Sequence, residues 1–272
     1  MAEKNTLLKA LDVRWRKLRN ELDRTRKKYS EDSVHDLRVA SRRLIAVLET
    51  LLEIHKDSEI EDCRKRVKKL LDGLSPLRDL HVQRATVLQM VDRFPQLKNF
   101  EQSLADKEGR TAKKVQKLLK RAPKIDNAIV RARRHARKGI GKDDILKVID
   151  RRYSNVLLLA ARVDPSKTET IHTMRLAFKR FRYTCEVAHP IIRKVVTTQR
   201  LDELHAFQTM MGDIQDVEVL SARLRKWTEK HRKQNDMEPI FEQLRADRER
   251  KIVTFVASIG QVHTFWQAGT NK

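Results

Sequence analysis

Two segments of the chain place histidine, arginine and lysine side chains at helical spacing. The first is VHDLRVASRRLIAV, from Val34, and the second is IHTMRLAFKRFRYT, from Ile171. At about 100° per residue, the cations of each segment fall on one side of a helix, away from its apolar side. Guanidinium groups bind phosphate oxygens through paired hydrogen bonds, and lysine adds a mobile charge. The predicted chemistry is therefore the binding of an anion that carries phosphate groups. The candidate ligands are His35, Arg38, Arg42, His172, Arg175, Lys179 and Arg182.

These segments belong to a longer internal repeat. His35 matches His172 and Arg38 matches Arg175 at the same offset along the chain. Three further pairs of blocks occur in the same order: LLKALDVRW with ILKVIDRRY, LSPLRDLHV with MGDIQDVEV, and FEQSLADKE with FEQLRADRE. Four matched blocks in one order predict that the chain is two copies of one unit. The predicted division is a first repeat at about 1–121, a basic linker at about 122–142 and a second repeat at about 143–272.

A single basic helix face is usually a solvated surface that supports only solubility. The same residue types at the same spacing in both copies favour a binding face instead. Two roles stay open for Arg43 and Arg180. They could contact the ligand, or they could pair with Asp79 and Asp216. Those two acids are also placed to cap the helices that they are predicted to begin. Further matched cations could widen the surface or be merely solvated. They are Lys9, Arg14, Lys68, Lys147, Arg152 and His205.

The composition predicts an all-α protein with a polyanionic partner. Among 272 residues, 60 Lys and Arg stand against 37 Asp and Glu, for a formal charge of +23. Hydrophobic residues reach 40%, which is enough to build a core. Seven Gly and six Pro are few for a β-rich chain that needs many turns. The charge is suited to nucleic acid, a phosphate polymer, an acidic protein or an anionic membrane.

The periodicity predicts the same series of helices in each half. The expected spans are 6–28, 33–55, 58–73, 77–93 and 96–120, then 143–162, 168–189, 197–211, 214–232 and 237–258, with a short C-terminal helix. Ser33 and Thr170 are the predicted N-caps, and Pro76 and Gly212 are expected to separate helices. The segment from Ala122 to Lys142 is predicted to be a solvated basic linker.

The sequence resembles the CHAD domain, the conserved histidine α-helical domain. The resemblance rests on HDLRVASRRL and HTMRLAFKRFRY and on LSPLRDLHV and MGDIQDVEV, and it covers essentially the whole chain. It implies one domain of two helical bundles, related by a pseudo-two-fold axis, with a basic cavity between them. It also implies binding of inorganic polyphosphate by the candidate ligands above, association with polyphosphate granules and contact with polyphosphate-metabolising enzymes. The chain departs from the pattern at Ile45, opposite Arg182, and at Ser75, where a glycine is expected.

Other functions find less support in the residues. No GxxxxGK[ST] loop, HExxH pair or helix with paired carboxylates occurs, so we expect neither an enzyme nor a cofactor. Cations around His35 and His172 would repel a metal ion, so no metal site is expected. Nonspecific nucleic-acid binding is the alternative, although Trp15 and Tyr153 fall on apolar helix faces rather than among the cations.

The compartment predicted is the cytoplasm. The longest apolar run, VLLLAA from Val156, is far shorter than a bilayer span, and the N-terminal segment lacks the apolar stretch of a signal peptide. Cys63 and Cys185 lie far apart and form no CxxC pair, so the sequence predicts no disulfide framework. The family resemblance places the protein at polyphosphate granules.

Overall fold

Helices account for every regular element that the structure describes. The computed structural model describes residues 6–121, 125–136, 140–231 and 237–267, and no strand occurs in these ranges. The all-α prediction is confirmed. In chain order the helices are α1 (Thr6–Lys27), α2 (Glu31–Ile54), α3 (Ser58–Val91), α4 (Lys98–Lys120), α5 (Ile125–His135), α6 (Lys142–Ala160), α7 (Thr168–Ile192), α8 (Thr198–Lys230) and α9 (Glu238–Ser258), with 3₁₀ helices at Pro95–Leu97 and Ile259–Thr264.

Helices of similar length follow one another in the two halves. Helix α2 has 24 residues and α7 has 25, while α3 has 34 and α8 has 33. Neighbouring helices pack in the same succession, α1 on α2, α2 on α3 and α3 on α4, then α6 on α7, α7 on α8 and α8 on α9. The duplication itself, with its boundaries near 121 and 143, stays a prediction from the sequence.

The third helix of each half is longer than expected. We predicted breaks at Pro76 and Gly212, but α3 and α8 continue through both residues, so that prediction is wrong. Proline removes a backbone donor, and glycine weakens a helix interior. Packing outweighs these costs, because buried residues recur at three- and four-residue spacing on both sides of each position. They are Leu70, Leu74, Leu77 and Leu80 in α3, and Phe207, Met211, Ile214 and Val217 in α8.

The predicted N-caps lie one turn inside their helices. Ser30 caps α2, because its hydroxyl accepts from the Ser33 amide at 3.1 Å and the Ser33 hydroxyl accepts from the Ser30 amide at 2.9 Å. Lys167 occupies the cap position of α7, and the Thr170 hydroxyl accepts from the Asp164 amide at 3.0 Å. Ser33 therefore completes a capping box with Ser30, whereas Thr170, also the third residue of its helix, ties the start of α7 to the preceding segment at Asp164.

The basic segment between the halves is largely a docked helix. Helix α5 buries Ile125, Ala128, Ile129 and Ala132 and packs on α3 and α1. Arg131 donates to Glu59 at 2.5 Å, and Arg133 donates to Asp12 at 2.7 Å. The predicted solvated linker is thus wrong for residues 125–136, while 122–124 and 137–139 lie outside the described residues. The apolar positions alternate with the arginines at helical spacing, so one face is core and the other is charged.

The hydrophobic core forms two clusters. The larger extends from α1 to the C-terminal 3₁₀ helix and includes residues of α2 and α7, which pack on each other. The smaller, which we call the distal cluster, combines Leu80 of α3 and Phe100 of α4 with Leu220 of α8 and residues of α9. The ring centroids of Phe100 and Trp227 lie 5.5 Å apart across it. The two halves therefore meet at the α2–α7 contact and again at the distal cluster.

None of the helices among the described residues is long and apolar enough to cross a membrane. Both cysteines are buried and free. Burial raises the pKa of the Cys63 thiol to about 12, so it stays protonated at neutral pH.

Candidate anion-binding site

The contact between α2 and α7 brings together four cations from the two halves of the chain. They are Arg38 and Arg42 of α2, and Arg175 and Lys179 of α7. Burial lowers the pKa of Arg38, Arg175 and Lys179, and the charge of Arg42 lowers each of them further. Arg42 is therefore within electrostatic range of the other three. We call these four residues the central cluster.

Positive charge in the central cluster exceeds the negative charge that faces it. Burial, together with the charges of Arg42, Arg175 and Arg38, lowers the pKa of Lys179 to about 8, and Glu49 only partly opposes this. The pKa of Arg38 falls to about 10, chiefly through burial. A cation whose pKa is depressed in this way is destabilised in its charged form. A bound anion with several charges would remove that destabilisation.

The matched arginines Arg38 and Arg175 differ in how their donors are used. Arg38 is 4% exposed, and its Nη1 donates to the Ser75 hydroxyl at 2.6 Å. At the matching position of α8, Gly212 leaves the space beside Arg175 open, since a Cβ there would lie 3.8 Å from Arg175 Nε. Arg175 Nε is buried and has no hydrogen-bond partner. Arg38 is thus anchored, whereas Arg175 retains a donor that no group in the described protein satisfies.

A cavity of about 200 Å³ opens beside the central cluster. Arg42, Lys68, Lys179, Arg180 and Tyr183 are among the residues that line it. Lys68 Nζ lies 2.5 Å from the Asp72 carboxylate at the exposed edge of this cavity, and Arg180 is exposed. The cavity can admit an anion to the central cluster from the solvent.

The two histidines lie at the edge of the central cluster and are held differently. His35 is exposed, and its pKa is lowered by desolvation and then by the nearby charge of Arg78, with smaller effects from Arg42 and Arg38. His172 Nδ1 forms a hydrogen bond with the Gln215 Oε1 atom of α8. A phosphate group near His35 would raise the pKa of that ring and favour its charged form.

The chain matches one protein family over most of its length, and the match includes the whole central cluster. The family is described as the CHAD domain, and the matched residues are 9–225. The chain belongs to the CHAD domain family. Comparison with curated proteins finds no match.

Two solved structures share this fold. The crystal structure of the CHAD domain from the plant Ricinus communis is similar with a TM-score of 0.72 over 97% of this chain and 92% of that chain, at 17% sequence identity. PptA from Streptomyces chartreusis is similar with a TM-score of 0.69 over 96% of this chain and 99% of that chain, at 14% identity. At these identities, the similarity supports the CHAD fold.

Arg182, an expected ligand, and Arg152, a matched cation that could have widened the surface, are both engaged within the protein. Arg182 is 6% exposed, its Nε donates to Gln208 at 2.8 Å, and its Nη1 donates to Glu186. Arg152 is 7% exposed, and its Nε donates to Glu53 of α2 at 2.8 Å. These arginines tie helices together, with Arg152 joining α6 to α2.

Of the two roles left open for Arg43, pairing with Asp79 is not observed, since Arg43 pairs with Glu186 instead. Arg43 Nε lies 3.6 Å from Glu186 Oε2, and Arg43 lines a separate cavity of about 230 Å³ with Arg14, between α1 and α2. Asp79 and Asp216 lie within α3 and α8, so they do not cap these helices. Their charges act instead on Arg38 and Arg175, where they partly offset the lowering of the pKa by burial.

The other matched cations lie on the surface. Lys9, Lys147 and His205 are exposed, at a first-turn position of α1, in α6 and in α8. The structure describes no group of three or more His, Cys, Asp or Glu side chains arranged to hold a metal ion.

The sequence reasoning missed Arg78. This residue of α3 donates to Glu31 at 2.7 Å, and its charge acts on both His35 and Arg38. Its match in the second half is Gln215, which holds His172. The predicted ligands were the cations of the two segments that begin at Val34 and Ile171, and Arg78 lies outside both. The feature of the sequence that could have identified Arg78 is its place inside the repeated block LSPLRDLHV.

Proposed function

We propose that this CHAD protein binds inorganic polyphosphate through the central cluster. The observation that carries the proposal is the convergence of Arg38, Arg42, Arg175 and Lys179 from two helices, with Arg175 Nε buried and unpartnered. The CHAD family is known for its association with polyphosphate. Arg180, His35, His172 and Lys68 would contact the same chain at the edge of the cluster. The contributions of Arg180, His35 and Lys68 would be weaker, because these residues are exposed.

A linear phosphate polymer suits this arrangement physically. Guanidinium groups donate two parallel hydrogen bonds to phosphate oxygens, and such charge-assisted bonds are about twice as strong as neutral ones. Adjacent phosphates can each take one cation, so neutralisation of the ligand also relieves repulsion within the cluster. The binding free energy thus has two sources, new hydrogen bonds and the removal of an existing electrostatic cost.

We propose binding without phosphoryl transfer. CHAD domains are generally non-catalytic binding domains, and the four converging side chains act by charge and hydrogen bonding. By the same family relation, we propose that the protein works in the cytoplasm at polyphosphate granules, together with polyphosphate-metabolising enzymes.

Nonspecific nucleic-acid binding is the competing function. Binders of single strands stack bases on aromatic rings that alternate with cations. Near the central cluster, the Tyr183 ring is already covered by the Arg182 guanidinium at 4.3 Å, and Tyr153 is buried. The site therefore favours phosphate groups over bases.

The deciding experiment measures binding of polyphosphate to the wild type and to the double variant Arg42→Ala/Arg175→Ala. Hydrogen bonds to charged groups contribute about 1.5–3 kcal/mol each, so we expect a loss of affinity of about 100-fold or more. Restoring both positions as Lys should recover only part of it, because charge returns without the planar fork.

The matched control is Arg134→Ala/Arg193→Ala, which removes the same charge from two exposed positions in α5 and after α7. Its affinity should stay within a few-fold of the wild type. Equal losses in the two double variants would mean that the ligand senses only bulk charge. Displacement of polyphosphate by equal concentrations of single- or double-stranded nucleic acid at physiological salt would favour the competing function.

A further inference from the structure

A second group of cations lies where α4 and α8 meet at the distal cluster. Phe100 of α4 and Trp227 of α8 are in ring contact there, at 5.5 Å. Lys107 lies two helical turns after Phe100 on α4. Arg223 lies one turn before Trp227 on α8 and Lys230 one turn after it, so these cations share the helix faces that meet at the junction. We call these residues, with one more from α4, the distal row. Its members are Lys107, Arg110, Arg223 and Lys230.

The distal row is crowded with like charges. Partial desolvation lowers the pKa of Lys107, and the charges of Arg223, Arg110 and Lys230 lower it further. Arg223 Nη1 is buried and has no hydrogen-bond partner. Like charges held together with an unused donor are costly for the protein, and an anion would offset that cost.

The distal row and the central cluster are both within range of the same carboxylate. Asp79 of α3 acts on Arg38 of the central cluster and also on Arg223 of the distal row. One carboxylate therefore lies within electrostatic range of both groups of cations, which places the distal row near the central cluster. A polymer held at Arg38 has a short path to Arg223.

A neighbouring cavity is less suited to an anion. This cavity of about 460 Å³ lies between α3, α8 and α9 beside the distal cluster, and its lining includes Asp213, Asp216 and Asp247 as well as Arg93 and Lys251. Desolvation raises the pKa of Asp213 and Asp216, although Lys251 opposes this at Asp213 and Arg175 opposes it at Asp216. Carboxylates outnumber cations in this lining, so a polyphosphate chain is less favoured there than at the distal row.

We propose that the distal row is a second anion subsite, which holds the phosphate groups of a polyphosphate chain that extend beyond the central cluster. This inference rests on the proposed function and gives the bound polymer a direction, from the α2–α7 contact towards the α4–α8 junction. Arg223 and Lys230 are seven residues apart on α8, a rise of about 10 Å. Only a chain that extends beyond the central cluster reaches both sites, so the subsite makes affinity depend on chain length.

The test compares tripolyphosphate with long-chain polyphosphate as ligands of the double variant Lys107→Gln/Lys230→Gln. Both lysines are exposed, so the variant should fold normally, as circular dichroism can verify. Affinity for the long chain should fall about tenfold at physiological salt. Affinity for tripolyphosphate should stay within twofold of the wild type, because the central cluster is intact.

The matched control is Lys56→Gln/Lys194→Gln. These exposed lysines precede α3 and α8, at the ends of the long helices opposite the distal cluster. The control removes the same charge and should leave the affinity for both ligands nearly unchanged.

Three results would overturn the subsite: an unchanged affinity of the distal variant for the long chain, an equal loss for both ligands, or an equal loss in the control. Failure of the proposed function looks different, because the wild type would then bind neither polyphosphate. In that event the subsite fails with it.

Discussion

The amine of Lys179 is held among Arg38, Arg42 and Arg175 on the partly buried side of α7. A charged lysine at this position destabilises the free protein, since three like charges and desolvation all oppose its protonated form. The same features suit anion binding, because the charge is concentrated and incompletely solvated. Lys179 therefore links pH to both the affinity and the stability of the protein.

Polyphosphate affinity should fall as pH rises above 8. Burial and the neighbouring guanidinium groups lower the pKa of Lys179 to about 8 in the free protein, and a bound polyanion raises it. The affinity is then greatest below pH 8, and it decreases as pH rises from 8 to the pKa of Lys179 in the complex. Titrations between pH 7 and about 9.5 measure this, and the variant Lys179→Arg, which stays charged, should show a flat profile. A profile in the variant as steep as in the wild type would assign the proton to another group.

Lys179→Met should make the free protein more stable while it weakens binding. Below pH 8 the wild type carries the full cost of a charged Lys179, and this cost disappears as pH rises from about 8 to the ordinary pKa of 10.5. One pKa unit corresponds to about 1.4 kcal/mol, and partial exposure screens the effect, so we expect a gain of about 1–3 kcal/mol at pH 7. Chemical denaturation with and without polyphosphate measures both effects. A loss of stability in the variant would show that the amine is well compensated in the free protein.

At the scale of the element, α5 shows how a basic segment becomes part of the fold. One side carries Arg131 and Arg133, which pair with Glu59 and Asp12, and the other side carries Ile125 and Ile129. The ion pairs are half-exposed and contribute little by themselves. Burial of the apolar side is the larger contribution, at about 1.5–3 kcal/mol for each fully buried aliphatic side chain.

Ile129→Ala should destabilise the protein by about 2–4 kcal/mol, because it removes buried methyl groups at a position that is 4% exposed. The neighbouring residue supplies the control, since Val130 is 57% exposed and its change to Ala should have little effect. Urea denaturation of the two variants gives the comparison. Similar denaturation midpoints for both variants would mean that the apolar side of α5 does not stabilise the protein, as expected for a solvated linker.

For the whole molecule, the formal charge of +23 overstates the charge available to a ligand. Many cations are committed to internal pairs, as Arg152 is to Glu53 and Arg133 is to Asp12. The four cations of the central cluster share only partial compensation, from Glu49, Asp79 and Asp216. Binding should therefore depend on a small number of neutralised phosphates.

The salt dependence of polyphosphate affinity measures that number. For a polyphosphate too short to reach the distal row, with four phosphates neutralised at the central cluster, the logarithm of affinity should fall with the logarithm of salt at a slope of about −3, or about 50-fold for a fourfold rise in salt, by extension from single-stranded nucleic acid. Arg42→Ala/Arg175→Ala should reduce the slope by about half. Titration at four or more salt concentrations gives both slopes, and identical slopes would place the neutralised phosphates outside the central cluster.

Local patterns in the sequence predicted most helices well. The spans expected for α1 and α2 differ from the structure by a few residues, because an apolar stripe at three- and four-residue spacing records which face is buried. The breaks at Pro76 and Gly212 were wrong for the opposite reason, since a residue-level preference was weighed above a stripe that continues through it. The same criterion, an apolar stripe at three- and four-residue spacing, would have predicted α5 from its buried residues Ile125, Ala128, Ile129 and Ala132.

The sequence by itself determined the all-α class, the family and the residue types of the candidate site, because spacing along one chain specifies which side chains share a helix face. Only the tertiary structure decided which cations meet. Arg38 and Arg175, expected outside the core, come together with Arg42 and Lys179 where α2 packs on α7, and Arg38 is buried there. Arg182 lies on the same helix as Lys179 but is engaged with Gln208 and Glu186. The distances between helices, and the desolvation that follows from them, depend on packing between residues far apart in the chain, which no local pattern encodes.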